Sequence, residues 1–363
     1  MWLFKSSIGR KFVMAVTGIC LVLFVTFHVL MNSVALIWPT AYNQVCEFLG
    51  ANWYALIASA GLALLIIIHI IYAVWLTVQN RAARGADRYA VTARPAQVEW
   101  ASKNMLVLGI VILAFQAVHL VNFWAKMQLP EMLHCDLECL TKINGAPANP
   151  AMGTLFIQMA FSQVYVPIVY IIGFIALWFH MTHGFWSMFH SVGWDNSNWL
   201  PRLKCIANWW TTIVVALFVA QAVVFTVLAH KNYYTTNQQL QEQYAEFWED
   251  QAEAAYNEFN DGLVKVTAPI QKEAQALTPS VESQAKMADL QQKYLDAVAD
   301  YFKANGEAFV KKSETISKAF EAQCPDVAPS KELVQLEQFS ESVKAELARA
   351  KSPMGNYAGA AQY

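Results

Sequence analysis

Apolar residues are concentrated in five runs: Phe12–Trp38, Trp53–Val78, Leu106–Trp124, Leu155–Phe179 and Ile206–Ala229. A helix needs about 20 predominantly apolar residues to cross the hydrocarbon layer, and the shortest run, the third, has 19. Each run is therefore expected to be a membrane-crossing helix. The first follows Lys5, Arg10 and Lys11, as in a signal peptide. Its apolar stretch exceeds the about 7–15 residues of such a segment, and no small-residue cleavage site ends it. It reads as a retained helix.

After His230 the pattern changes. Leu240, Tyr244 and Phe247, then Phe259 and Leu263, recur at helical spacing, and Met287, Leu290, Tyr294, Val298 and Tyr301 form a second such run. Pro269 and Pro279 are expected to separate the first two helices, and Pro325 and Pro329 the second from a shorter third. The expected fold is all-α: a five-helix transmembrane bundle over 1–230 and a soluble helical extension, hairpin or coiled-coil-like, over 231–363.

Charge sharpens this division. The chain is 56% hydrophobic and 14% charged, against roughly 25% charged in an ordinary soluble domain. Residues 1–230 carry 12 Lys+Arg and 7 Asp+Glu, and residues 231–363 carry 13 and 20. Neither part shows the clustered basic face of a nucleic-acid binder. Ten basic residues (Lys5, Arg10, Lys11, Arg81, Arg84, Arg88, Arg94, Lys103, Arg202, Lys204) flank the runs on one side, against Lys126 and Lys142 on the other. By the positive-inside rule the N-terminus is cytoplasmic and, after five crossings, the extension lies on the far side. Trp38, Trp53, Trp100, Trp124, Trp194 and Trp209, at the run ends, suit interfacial anchors.

Four of the runs contain a histidine: His28, His69, His119 and His180. An ionisable group in hydrocarbon is expensive and marks a functional site by default. At about 1.5 Å per residue from the cytoplasmic charges, His28 lies about 25 Å deep and His119 about 24 Å, whereas His69 lies about 18 Å and His180 about 15 Å deep. Two layers result, His28 with His119 and His69 with His180. Each pair suits both axial positions of one b haem, a site that carries electrons and leaves no position for oxygen or substrate. The plainer alternative is hydrogen bonding between helices. Four histidines, one per helix and matched in depth, favour haem. His183, at i+3 from His180, shares nearly the same face. His134, His190 and His230 fall at or outside the boundaries. Gly18 and Gly61 either admit a porphyrin or allow close helix packing.

Several segments resemble a known family. Ser6-Ser-Ile-Gly-Arg-Lys-Phe-Val-Met-Ala-Val-Thr-Gly18, Phe27-His28-Val-Leu-Met-Asn32, His69-Ile-Ile-Tyr-Ala-Val-Trp75, Val118-His119-Leu120 and Phe179-His180-Met-Thr-His-Gly184-Phe-Trp186-Ser187 are similar, in order and spacing, to the cytochrome b membrane anchor of succinate dehydrogenase and fumarate reductase. The similarity is to the single-subunit, five-helix, di-haem type and covers about 1–230. It implies His28 and His119 as ligands of a far-side haem b and His69 and His180 as ligands of a cytoplasm-side haem b, with His183 a non-ligand. It further implies menaquinone as the membrane substrate, and cytoplasmic iron–sulfur and flavoprotein subunits that interconvert succinate and fumarate. The setting it implies is a bacterial inner membrane. Some di-haem members carry a glutamate two residues before the helix-four ligand; here that position is Trp178.

The chain itself has no dinucleotide fingerprint and no clustered iron–sulfur cysteines, so it is expected to be anchor and wire rather than the dicarboxylate-handling subunit. Glu47, in the far-side loop before the second run, is a candidate proton acceptor for a quinol, beside the plainer reading of a solvated charge. Asn32, Gln44 and Asn122 are further polar candidates. Cys135 and Cys139 suit a local disulfide in an oxidising compartment and lack the Cys-x-x-Cys-His of haem attachment; the pairing of Cys46 and Cys324 stays open. Cys20 and Cys205 read as packing or interfacial residues. The extension reads either as a docking module for a periplasmic partner or as a solvated helical cap. Two rival functions remain: a di-haem quinone-reactive cytochrome b of a hydrogenase or formate dehydrogenase, and a haem-free membrane scaffold.

Overall fold

The computed structural model describes residues 6–50, 52–84, 100–194, 196–277 and 281–351. Lys5, Arg88, Arg94 and Pro279 lie outside the described residues. The chain divides into two compact units, one of Met1–Cys135 with Pro150–Tyr234, the other of Asp136–Asn149 with Thr235–Tyr363.

Among the described residues, the first unit holds five helices long and apolar enough to cross a membrane. These are α1 (Ser7–Ile37), α3 (Trp53–Arg84), α4 (Trp100–His119) with its π-helical continuation Leu120–Trp124, α7 (Tyr165–Ser191) and α8 (Trp199–His230). The shortest, Trp100–Trp124, has 25 residues, about 37 Å at the helical rise and longer than an about 30 Å hydrocarbon layer. A helix suits this setting because it satisfies its backbone polar groups internally. Ser6 caps α1, its hydroxyl accepting from Gly9 N at 2.9 Å. Gly193 (φ 83) and Asn232 (φ 54) end α7 and α8 in the left-handed conformation that stops a helix.

α1 lies against α3, α7 and α8, while α4 packs on α7 and α3 barely touches α4. Polar side chains join the spans. Gln221 donates from α8 to Val29 O and to Ser33 Oγ, both at 2.9 Å. Trp210 donates to Thr26 Oγ1 at 3.2 Å, and Trp178 to Thr212 Oγ1 at 3.0 Å. Such bonds contribute on the order of 0.6 kcal/mol each in a bilayer.

The fourth apolar run differs from expectation. Leu155–Phe179 is not one span but two elements, α6 (Gly153–Phe161) and the start of α7. Pro167, the third residue of α7, has no N–H to give to Gln163 O, and polar bonds hold the break. Ser162 Oγ donates back to Gln158 O at 2.6 Å, and Gln158 Nε2 donates to Ala229 O of α8 at 2.7 Å. Nearly every residue of α6 is buried, so a helix apolar on all sides is here a protein-buried helix rather than a lipid-facing one. Asn43 of α2 (Pro39–Gly50) is fully buried and accepts from Thr154 N and Oγ1 at 3.0 and 2.9 Å, tying α2 to α6. A five-residue helix, α5 (Gln128–Met132), follows the π-turn.

The second unit contains three long helices, α10 (Gln238–Gln275), α11 (Val281–Gln323) and α12 (Lys331–Lys351), preceded by the short α9 (Tyr233–Thr236), which straddles the boundary. Asn237 caps α10, accepting from Leu240 N at 3.1 Å. Phe259, Phe309 and Phe339, one from each long helix, pack with ring centroids 4.5–5.7 Å apart. Pro269 does not end the first helix; it lies inside α10. It forfeits one hydrogen bond, to the Lys265 carbonyl, close to the end of a helix anchored upstream by buried Leu240, Tyr244, Trp248 and Phe259.

A hairpin of Lys142–Ile143 and Ala146–Pro147 also belongs to this unit. Its turn residues Asn144 (φ 54) and Gly145 (φ 84) are the Asn-Gly pair that such tight turns favour. Gln323 Nε2 donates to Pro147 O at 2.7 Å and ties the hairpin to α11. Cys135 and Cys139 are disulfide-bonded; Cys46 and Cys324 are free thiols.

Trp248 is fully buried and donates to Gln323 Oε1 at 3.2 Å. Trp248→Ala leaves a void and an unpaired amide, an expected loss of about 3–5 kcal/mol. Thermal unfolding of the full chain followed by circular dichroism should show an early transition in this variant and none in the exposed-site control Glu253→Ala; superimposable curves would contradict the packing.

Candidate functional site

The four intramembrane histidines lie on four different spans of the first unit: His28 on α1, His69 on α3, His119 at the end of α4 and His180 on α7. Their rings meet in two pairs. His28 and His119 have centroids 5.8 Å apart with planes at 86°, and His69 and His180 6.4 Å apart at 60°. These are the pairs that the depth estimate groups. The helices carrying each pair do not pack closely on one another, so the imidazoles reach across a gap.

That spacing has a chemical meaning. An imidazole nitrogen binds a first-row metal at about 2 Å and its ring centroid lies roughly 1 Å behind, so two imidazoles trans on one metal have centroids about 6 Å apart. Both pairs match. Outer hydrogen bonds point the same way, since metal-binding histidines anchor their second ring nitrogen. Thr17 Oγ1 lies 3.0 Å from His69 Nδ1, and Tyr170 OH 3.2 Å from His119 Nδ1. In both cases Nε2 remains for a ligand.

A Cβ added at Gly18, Gly61 or Gly184 would meet nothing within 4 Å. Gly61 is exposed on the outside of the helices, and neither Gly18 nor Gly61 is in a close helix–helix contact. Buried polar atoms without a hydrogen-bond partner among the described residues include Tyr72 OH and Thr182 Oγ1, each within three residues of a paired histidine. Phe24 stacks on His28, and Phe115 and Phe123 flank His119, giving apolar walls suited to a flat macrocycle. His183 packs edge-on against Trp186. Among the described residues, no three or more His, Cys, Asp and Glu side chains converge as a metal centre; the histidines meet as pairs.

The π-turn directly after His119 buries Asn122, and π-turns recur at functional positions. Asn32 is engaged: its Nδ2 donates to His28 O at 2.9 Å and its Oδ1 accepts from Tyr42 OH at 3.1 Å. Glu47 is not in a loop but on α2, exposed, as is Gln44.

Sequence reasoning missed Glu131 of α5, 84 positions from Glu47 in the chain. Its carboxylate packs where any side chain at Gly50 would stand. Burial, with a smaller contribution from the Glu47 charge, raises its carboxyl to about 6. Nothing local marks it, because the proximity is tertiary. Nearby, burial pushes the Cys46 thiol up to about 12, so it stays protonated and unreactive at neutral pH.

The chain matches no protein-family model, no curated protein and no solved structure.

A raised carboxyl pKa means that the folded chain holds the Glu131 proton more tightly than the unfolded chain does. This stabilisation is complete below pH 4.5 and is lost as pH rises through about 6. Discounted for partial exposure, it amounts to about 1 kcal/mol. The melting temperature of Glu131→Gln, measured against wild type, should therefore gain on it between acidic and neutral pH. A difference independent of pH would contradict the assignment.

Proposed function

We propose that this chain is the membrane-anchor cytochrome b subunit of a succinate:quinone oxidoreductase, a succinate dehydrogenase or fumarate reductase, passing electrons between menaquinone and an iron–sulfur subunit. The observation that carries the reading is the pairing of His28 with His119 and of His69 with His180, from four different helices, with ring centroids at the separation that a shared metal atom would set. The resemblance of the segments around Gly18, His28, His69, His119 and Trp186 to the di-haem anchors supports the particular complex.

In this reading His28 and His119 hold one haem iron and His69 and His180 the other. When bound, the haems supply one-electron carriage. Held by two imidazoles each, the haems would carry electrons and not bind dioxygen or substrate. The protein's part is to hold the rings across a gap between helices and to wall the space with Phe24, Phe115 and Phe123.

Quinone chemistry also moves protons. A group titrating near the working pH can both take and release them. Glu131, at about 6, is better suited to this than the exposed Glu47, which acts beside it by raising it. Asn122, buried beside Tyr170 in the π-turn after His119, is the polar candidate for a quinone oxygen close to His119.

The asymmetry of basic residues puts the N-terminus and the His69–His180 pair on the cytoplasmic side, toward the iron–sulfur and flavoprotein subunits. The His28–His119 pair then faces the periplasmic side, as does the acidic extension, with a periplasmic partner as its docking role. Dicarboxylate chemistry belongs to the flavoprotein.

A reduced-minus-oxidised visible spectrum with a haem assay tests this on wild type, His28→Ala and His180→Ala. Two b haems per wild-type chain, one lost in each variant, are expected, together with co-purification of a flavoprotein. A wild type devoid of haem would overturn the reading, and a nickel or molybdenum partner would assign the chain to another quinone-linked complex.

A further inference from the structure

Thr17 is buried in α1, at the depth of the His69–His180 pair, where an unbonded hydroxyl is costly. Its Oγ1 has three neighbours: Val13 O at 2.9 Å, Met14 O at 3.2 Å and His69 Nδ1 at 3.0 Å. A hydroxyl has one proton to donate, and a carbonyl oxygen can only accept. The nearest of the three acceptors is the Val13 carbonyl, the usual i−4 acceptor of a helical threonine. With the proton given there, the oxygen presents a lone pair toward His69, and the bond then has Nδ1–H as its donor. That arrangement leaves the imidazole as the tautomer whose Nε2 is bare, the form a metal requires.

The partner ring is held differently. His180 has the Met105 backbone of α4 as a hydrogen-bonding neighbour, and Gly109 of the same helix lies along its Cε1 edge. Within this pair the side-chain contact to another helix is that of Thr17 with His69. The other pair is arranged differently, with a phenol, Tyr170, at His119 Nδ1.

We infer that Thr17 is a positioning residue for the haem held by His69 and His180: it locks the His69 tautomer and, by accepting from Nδ1–H, makes Nε2 a stronger donor to ferric iron. The inference rests on the two-haem reading above. An outer hydrogen bond of this kind raises ligand basicity and favours the oxidised metal. Losing it should destabilise ferric relative to ferrous iron at that site alone.

The test is a redox titration of the purified complex, followed in the haem α band, for wild type, Thr17→Val and Thr17→Ser. Valine keeps the volume and removes the acceptor; serine keeps the hydroxyl and its bond to the i−4 carbonyl. In Thr17→Val one of the two haems should lose roughly tenfold in preference for the ferric state, the low end of outer-shell effects, a rise of about 59 mV for one electron. The other haem should not move, and Thr17→Ser should restore the first. Loss of that single haem in Thr17→Val, with retention in Thr17→Ser, supports the same role. Two haems with unchanged potentials in Thr17→Val, or equal shifts in both, would overturn it. A wild type without haem would instead sink the underlying two-haem reading and this inference with it.

Discussion

An imidazole inside an apolar bundle has no water to bond, and the rest of this structure is organised around that constraint. The other polar side chains of the spans settle it locally. Thr26 and Ser33 donate back to their own helix, while Gln221 and Trp178 reach a neighbouring one. Two of the histidines do so through one nitrogen only, His69 Nδ1 to Thr17 and His119 Nδ1 to Tyr170 on neighbouring helices, which leaves Nε2 without a protein partner among the described residues. The four rings face one another in pairs across gaps between helices that do not pack closely, at a separation that suits a shared atom better than a direct hydrogen bond. Helix α3 leans on α1 and leaves α4. A bundle built for packing alone would have closed these gaps, since interiors are normally packed to crystal-like density.

The histidines were legible in the sequence because hydrocarbon makes them conspicuous, and their grouping followed from helical rise alone. The five spans were legible for the same reason: an apolar run of that length has few other uses. What was not legible is instructive. Apolar character cannot separate a lipid-facing helix from one buried in protein, so α6 was merged with α7 across Ser162–Val164. Pro269 signals a helix end by its missing N–H, yet the upstream packing of α10 carries the helix through it. Asn144-Gly145 is a strong turn signal, but its place in the unit with α10–α12 depends on Gln323 reaching Pro147. Glu131 meets Glu47 only through the fold.

The supports around the two pairs differ, and the difference is chemical. His69 accepts its orientation from a hydroxyl already committed to α1, and His119 from a phenol on α7. The two histidine pairs therefore sit in different donor environments. If each pair holds a metal as proposed, this asymmetry would set the two potentials apart, since outer hydrogen bonding is one of the few levers a protein has over a metal's potential.

The central claim is that each facing pair shares one metal atom. Low-temperature electron paramagnetic resonance of the oxidised protein addresses it directly, because two axial imidazoles force ferric haem into the low-spin state. The account calls for two distinct low-spin ferric signals. Their strong anisotropy should follow from ring planes that are far from parallel in both pairs, 86° and 60°. A high-spin signal as the main species would mean that one imidazole of a pair does not bind. No ferric haem signal at all would mean that the histidines face each other for some other reason.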